Sequence, residues 1–276
     1  MKIEDMPDAA VPFPDESIFS WLDATRVKLG LASIEWRQWC GFSEREPERR
    51  IDGSPWGQLP PGLGQIRRIP AAWRIAGEWR QIACAHCSSL DGKEVRYPVL
   101  VDWLDARTIA CSEHRVLLCS FPAEDPVPVN VTEEIQGLYE WLQQWRQGSI
   151  GVQEARLRRD LVLAAGRNWS PEVASIASAE LAWAIEGTGW RLPKAQSRYR
   201  PRGPSRIGAL NPMDRAAALL GAYRAWRALT DRSSESLPHW PTAAWEWLER
   251  RLRPAAGPEI GAMLGGIVVA SRNWRR

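Results

Sequence analysis

The stretch Cys84-Ala-His-Cys87, followed by twenty-three residues and then Cys111-Ser-Glu-His114, decides how this sequence is interpreted. A Cys-x2-Cys pair and a Cys-x2-His pair together supply three thiolates and one imidazole. Each pair spans a tight turn that directs both side chains toward one point, and four such ligands form the tetrahedral shell that Zn²⁺ prefers. Because protein side chains fill all four positions, the site is closed. The sequence therefore predicts one structural zinc ion that contributes to folding.

Several alternatives to this ligand set stay open. Cys119 is near enough in sequence to replace His114, and His86 lies within the first pair. The cysteines are also compatible with ordinary buried thiols. A redox Cys-x-x-Cys is disfavoured, because no strand–helix unit of the thioredoxin kind follows Cys87. The equal spacing within the two pairs favours one set of ligands: Cys84, Cys87, Cys111 and His114.

The residues between the two pairs favour a small β module. Val95, Tyr97, Val99 and Val101 alternate along 94–101, which is the period of a half-buried strand. Residues 107–110 would then return the chain to the second pair. The layout resembles a zinc ribbon, and we place this zinc-binding module at 80–121.

Length and composition place the chain among globular proteins. It has 276 residues, of which 25% are charged and 45% hydrophobic, so it can bury a sizeable core in one or two domains. No apolar run approaches the ~20 residues that span a bilayer, so we expect no membrane association. The opening Met-Lys-Ile-Glu-Asp does not resemble a secretory signal. An odd number of cysteines with metal spacing indicates a reducing, cytoplasmic location.

The fold class that we predict is mainly α, with the small β module between two helical parts. In the N-terminal part, 1–79, Asp15 is the expected N-cap of a helix that ends at Gly30. A second short helix would begin after Ser33 and end before Gly41. Two short helices at this distance give the segment a helix-turn-helix character.

The C-terminal part, 129–276, reads as a helical domain of five or six helices. The first has Asn130 as its expected N-cap, and its inward face combines five residues: Ile135, Leu138, Trp141, Leu142 and Trp145. A second helix covers 153–165. Ser170 and Pro171 then open a third, which runs to Gly187 through four apolar residues: Ile176, Leu181, Trp183 and Ile185.

Three further helices complete this prediction. Asn211 is the expected N-cap of the first, followed by Pro212 at the first helical position and an acid at the third. The others cover 242–252 and the residues after Gly257. The chain holds 17 tryptophans, most of them at helical spacing beside aliphatic residues. We therefore assign the tryptophans to the core rather than to a base-stacking surface.

A basic loop at 191–206 interrupts the helical domain. It contains no acidic residue, and its prolines and glycine disfavour a helix. One interpretation is an arm that follows a nucleic-acid backbone, with Tyr199 available to stack on a base. The other is a solvated linker between helices. The six cationic side chains of the loop are Arg191, Lys194, Arg198, Arg200, Arg202 and Arg206.

Residues for common catalytic chemistry are sparse, and we predict that the chain is not an enzyme. There is no Gly-x4-Gly-Lys-Ser/Thr loop, which argues against a P-loop ATPase. Histidine occurs three times, and two of the three lie in the zinc window. A His-based triad or a catalytic zinc with three histidines is therefore disfavoured.

Two blocks of the sequence together resemble the TniQ family of transposition proteins. The first is the run from Pro12 to Leu22, Pro-Phe-Pro-Asp-Glu-Ser-Ile-Phe-Ser-Trp-Leu. The second is the zinc module, where seven residues separate Trp103 from the Cys-x2-His pair and Leu118 is the fourth residue after its histidine. Family members commonly have Pro after the first Cys and Gly after the His, where this chain has Ala85 and Arg115.

The resemblance implies an adaptor that selects targets for DNA transposition. Such a protein links target recognition, by DNA itself or by an RNA-guided complex such as Cascade, to an AAA+ ATPase of the TnsC or TniB type. The alternatives are a stand-alone zinc-stabilised DNA-binding regulator and an interaction scaffold without nucleic-acid contact. The sequence leaves open whether the chain forms a homodimer and which surface meets the ATPase.

Overall fold

Seven α-helices and four short strands occur in the part of the chain that the structure describes. This structure is a computed structural model, and it describes residues 10–30, 63, 69–75, 82–84, 86–87, 89–91, 94–96, 98–120, 132–185, 207–231, 237–253 and 258–273. The fold is mainly helical, as the sequence predicts. The second N-terminal helix, at 33–41, and the basic loop at 191–206 lie outside the described residues.

The first helix, α1, covers Ile18–Lys28. Gly30, two residues after its end, has a φ of +64°, which is the left-handed value expected after a helix. The N-cap of α1 is Ser17, whose side chain accepts a hydrogen bond from the Ser20 amide. The expected cap at Asp15 is therefore wrong. Asp15 lies two residues earlier with φ of +56°, and its carbonyl accepts from the Val101 amide.

Four strands form two small antiparallel pairs in the module. β1 (Ile82–Ala83) pairs with β4 (Cys119–Ser120), and β2 (Ser89–Asp91) pairs with β3 (Glu94–Arg96). The predicted strand at 94–101 is thus too long. Pro98 lacks the amide that a ladder requires, and 101–104 forms a 3₁₀ turn instead.

Three helices follow the module. They are α2 (Glu133–Arg146), α3 (Val152–Arg167) and α4 (Pro171–Ala184). The five apolar residues predicted for the inward face of α2 are all buried. The N-cap of α2 is Thr132, whose hydroxyl accepts from the Ile135 amide; the expected cap, Asn130, lies outside the described residues.

The predicted start of α4 is confirmed, and only some of its apolar side chains are buried. Ser170 caps this helix with Pro171 in its first turn, and Leu181 and Ile185 are buried. Ile176 and Trp183 are instead 46% and 84% exposed. At about 100° per residue, positions 176 and 183 share a face that points away from position 181, so one helix cannot bury all of them against one neighbour.

The last three helices complete the core. They are α5 (Pro212–Asp231), α6 (Thr242–Leu252) and α7 (Pro258–Asn273). Asn211 caps α5 as predicted, because its Oδ1 accepts from the Asp214 amide at 2.8 Å. α5 is the central helix and packs on α2, α3, α4 and β4, while α6 packs on α3 and α7. No helix among the described residues has the length and apolarity needed to cross a bilayer.

Candidate metal centre

The first pair of predicted ligands lies on a turn directly after β1. Cys84 is buried, and its carbonyl accepts from the Cys87 amide at 3.2 Å, which closes the turn. The His86 amide points at Cys84 Sγ at 3.4 Å. An amide donor aimed at a sulfur favours the thiolate form, which is the form that binds a metal.

The second pair lies at the tip of a tight loop between Ala110 and Leu117, which form a bridge. The Cys111 amide donates to the Val116 carbonyl at 2.9 Å, and the Arg115 amide donates to the Cys111 carbonyl at 3.0 Å. Arg115 completes the turn with φ of +52°. This is the left-handed conformation that glycine adopts without strain.

The sheet brings the two pairs together although they are far apart in sequence. Ala83, directly before the first pair, is the register partner of Cys119, which follows the second pair. As a result, one ligand atom from each of Cys84, Cys87, Cys111 and His114 lies within 4.8 Å of every other. Cys119 and His86 do not belong to this cluster. His86 is exposed, and its ring centroid lies 5.5 Å from that of His114.

The spacing of the ligand atoms fits a tetrahedral metal. His114 Nδ1 lies 3.6 Å from Cys84 Sγ, 3.2 Å from Cys87 Sγ and 3.6 Å from Cys111 Sγ, and the Sγ atoms of Cys87 and Cys111 are 3.7 Å apart. Metal–sulfur bonds of about 2.3 Å and metal–nitrogen bonds of about 2.0 Å place tetrahedral ligands roughly 3.5–3.8 Å apart. The cluster can therefore hold one metal ion at its centre.

The electrostatics of the cluster also suit a cation. The hydrogen bond from the Cys84 thiol lowers the pKa of Cys111 to about 4, with further help from the His114 and Glu113 amides. Burial raises the pKa of Cys87 to about 12, and sharing a proton with Cys111 raises the pKa of Cys84. Three sulfurs this close cannot all ionise by themselves, but a divalent cation between them would remove the repulsion.

The N-terminal helix is fastened to this module by hydrogen bonds that the sequence did not predict. The Ser17 amide donates to the Val99 carbonyl at 2.8 Å, and the Val99 amide donates to Ser20 Oγ at 3.0 Å. Ser20 Oγ in turn donates to Glu16 Oε1 at 2.6 Å, and Glu16 is fully buried. The polar residues of the first block thus bind the chain segment that leads into the second.

A clamp of charged and aromatic side chains joins the module to α2. Arg107 donates to both carboxylate oxygens of Asp105, at 3.0 and 2.7 Å. Its guanidinium lies 5.3 Å from the ring of Trp73 and 5.4 Å from the ring of Trp145. Arg146 of α2 lies 3.7 Å from the same carboxylate. Such a cation between aromatic faces is worth about 1 kcal/mol or more when it is shielded from water.

Comparisons with known proteins give this chain no relative. No protein-family model, curated protein or solved structure matches it. A functional interpretation therefore rests on the four-ligand cluster, on the hydrogen bonds between the module and the N-terminal helix, and on the sequence resemblance described above.

Proposed function

We propose that the chain is a TniQ-like adaptor in DNA transposition, which connects target recognition to an AAA+ transposition ATPase. The observation that carries the proposal is the hydrogen bonding of Ser17 and Ser20 to Val99 of the module that holds the four-ligand cluster, with Glu16 accepting from Ser20. These residues belong to the two blocks on which the family resemblance rests. Because residues of the two blocks are hydrogen-bonded to each other, we treat the blocks as one functional unit rather than as two chance matches to the family.

The ion that we propose for the cluster is a single structural Zn²⁺. Three thiolates and one imidazole are soft and borderline ligands, a set that favours zinc over calcium or magnesium. Four protein ligands leave no coordination position for a substrate, so the ion would stabilise the module without performing chemistry. Bound zinc would keep 82–120 rigid as a docking element for a partner protein, and we propose that the chain has no catalytic activity of its own.

The nucleic-acid part of the proposal concerns the basic loop at 191–206. Its arginines would attract phosphates independently of base sequence, either on target DNA or on the RNA of a guided complex. Neutralisation of phosphates by cationic side chains makes affinity fall with salt, and the slope counts the contacts. This gives the loop a measurable signature.

The first experiment tests the metal and the partner together. Purified protein should contain about one zinc per chain and should retain a TnsC- or TniB-type ATPase on an affinity matrix. Cys84→Ser and His114→Ala should lose both the zinc and the ATPase. Zinc loading without any ATPase retention would contradict the adaptor role and favour a stand-alone regulator.

The second experiment tests the basic loop. Changing Arg198, Arg200, Arg202 and Arg206 to Gln should flatten the salt dependence of DNA or RNA binding by up to about four charge contacts. A matched control removes four arginines that lie on helices or directly after one and whose side chains are 47–73% exposed: Arg227, Arg251, Arg253 and Arg272. Equal slopes for the two variants would contradict a specific role of the loop and favour the scaffold without nucleic-acid contact.

A further inference from the structure

The side chain of Arg215, in the first turn of α5, is buried without a hydrogen-bond acceptor. Its exposed fraction is 0%, and its Nε, Nη1 and Nη2 atoms have no acceptor in the part of the chain that the structure describes. A guanidinium carries five N–H donors and cannot shed its charge as lysine can. Leaving all of them unpaired away from water carries a large desolvation cost.

Among the described residues, no carboxylate is hydrogen-bonded to Arg215. Burial lowers its pKa to about 10, so the side chain is cationic at neutral pH, and the carboxylate that partly opposes this shift is Asp105. Both oxygens of Asp105 already accept from Arg107, and Arg146 lies 3.7 Å from one of them and 3.0 Å from Asp102. Asp105 is therefore already paired with two other guanidinium groups, and Arg215 is left as a buried positive charge without an ion-pair partner among the described residues.

Two further features favour a negative ligand here. Arg215 lies in the first turn of α5, where the helix dipole adds a partial positive charge. Thr108 Oγ1 is also buried and has no hydrogen-bond partner among the residues that the structure describes, and the Thr108 amide donates to the Asp105 carbonyl. An orphaned hydroxyl and an orphaned guanidinium thus both lie in the surroundings of Asp105.

We propose that Arg215 binds a small inorganic anion of the halide class, enclosed where α5 meets the Cys/His module. The complete burial of Arg215 leaves no route for a nucleic-acid backbone or a peptide side chain, so the ligand is a small ion. One negative charge would balance the excess positive charge and accept several of the orphaned N–H donors. The anion would then stabilise the junction between α5, which packs on β4, and the module.

The test measures thermal unfolding while chloride replaces gluconate at constant ionic strength. Above the dissociation constant, each tenfold increase in chloride should raise the Tm of the wild type by about 3 °C. Arg215→Met should lose this dependence and, in gluconate, should be at least as stable as the wild type, because it removes an unpaired buried charge. Arg251→Met, at a half-exposed arginine of α6, should keep the wild-type response.

Equal chloride responses of wild type and Arg215→Met would overturn the proposal. If Arg215→Met does not fold, a second measurement uses the wild type: anomalous diffraction from crystals grown in bromide. A bromide peak within hydrogen-bonding distance of Arg215, saturating at millimolar concentration, supports the site. An ordered water at that position, or a peak that appears only at molar bromide as an adventitious ion, overturns it.

Discussion

At the scale of single residues, the backbone of Arg115 is strained. Arg115 directly follows His114 and has a φ of +52°. TniQ-like sequences commonly have glycine at this position. A residue with a Cβ is destabilised by about 1–2 kcal/mol in this conformation. Replacing it with glycine removes this strain, but part of the stability gained is lost because glycine makes the unfolded chain more flexible. We expect Arg115→Gly to raise the free energy of unfolding by about 0.5–1 kcal/mol, measured by urea denaturation of the metal-loaded protein.

Gly148 provides the matched control for this prediction. Its φ is +69°, and a Cβ built there would meet no atom within 4 Å. Gly148→Ala should therefore lower stability by about 1 kcal/mol through the backbone alone. A loss of stability in Arg115→Gly would mean that the arginine side chain makes contacts that outweigh the strain.

The cysteine thiols also allow a prediction of proton release. In the metal-free cluster at pH 7, we expect the hydrogen-bonded pair Cys84 and Cys111 to hold one proton between them, because the pKa of Cys111 is lowered and that of Cys84 is raised, while Cys87, with a pKa raised to about 12, keeps its own proton. Zinc requires all three as thiolates, so its binding should release about two protons. The affinity of the cluster for zinc should then rise by up to about 100-fold per pH unit. This rise should continue until the pH is high enough to ionise Cys87.

Calorimetric titration of zinc in buffers of different ionisation enthalpy measures this release directly. Cys119→Ser should leave the number unchanged, because Cys119 is outside the cluster. Release of no proton, or of three, would contradict the protonation states derived from the geometry.

At the scale of elements, Ser20 connects α1 to the module through one hydrogen bond and to Glu16, just before α1, through another. Its Oγ donates to Glu16 Oε1 and accepts from the Val99 amide. Ser20→Ala would leave a buried carboxylate and a backbone amide without this partner, which costs about 1–3 kcal/mol. We expect a loss near 2 kcal/mol in chemical denaturation.

Two comparisons isolate the role of Ser20. Ser17→Ala removes the helix cap and should cost about 1 kcal/mol. Combining Ser20→Ala with Glu16→Gln should cost less than the sum of the two single changes, because both remove the same contact. Additive losses would show that Glu16 and Ser20 act independently.

Local signals in the sequence predicted the elements better than their contacts. The sequence predicted the four candidate metal ligands because the two members of each pair are only three positions apart. It predicted the buried face of α2 because the apolar residues repeat at helical spacing. The bond between Ser20 and Val99 spans 79 residues, and nothing local indicates it. The same holds for Trp183: its residue type indicated burial, but the neighbour of α4 determines which face is covered.

At the scale of the whole molecule, the module and the helices share one hydrophobic core. Buried residues of the module, such as Trp103 and Leu118, belong to the same cluster as Trp141 and Leu220 of the helices. The clamp around Arg107 adds a polar link to α2. Structural zinc sites contribute about 10–16 kcal/mol in isolated peptides, which is comparable to the stability of an entire domain.

Metal removal should therefore destabilise the whole protein in a single transition. With the four ligands unbridged, two buried cysteines and the loops around them lose what holds them together, and the shared core transmits that loss to α5. We expect a zinc chelator, Cys87→Ser and His114→Ala each to lower the Tm by more than about 10 °C, given 2–4 °C per kcal/mol, while Cys119→Ser stays near the wild type. Calorimetry measures the heat of unfolding, and far-ultraviolet circular dichroism measures the loss of helix. If the helices keep the same Tm without zinc, the helices and the module do not unfold as one cooperative unit.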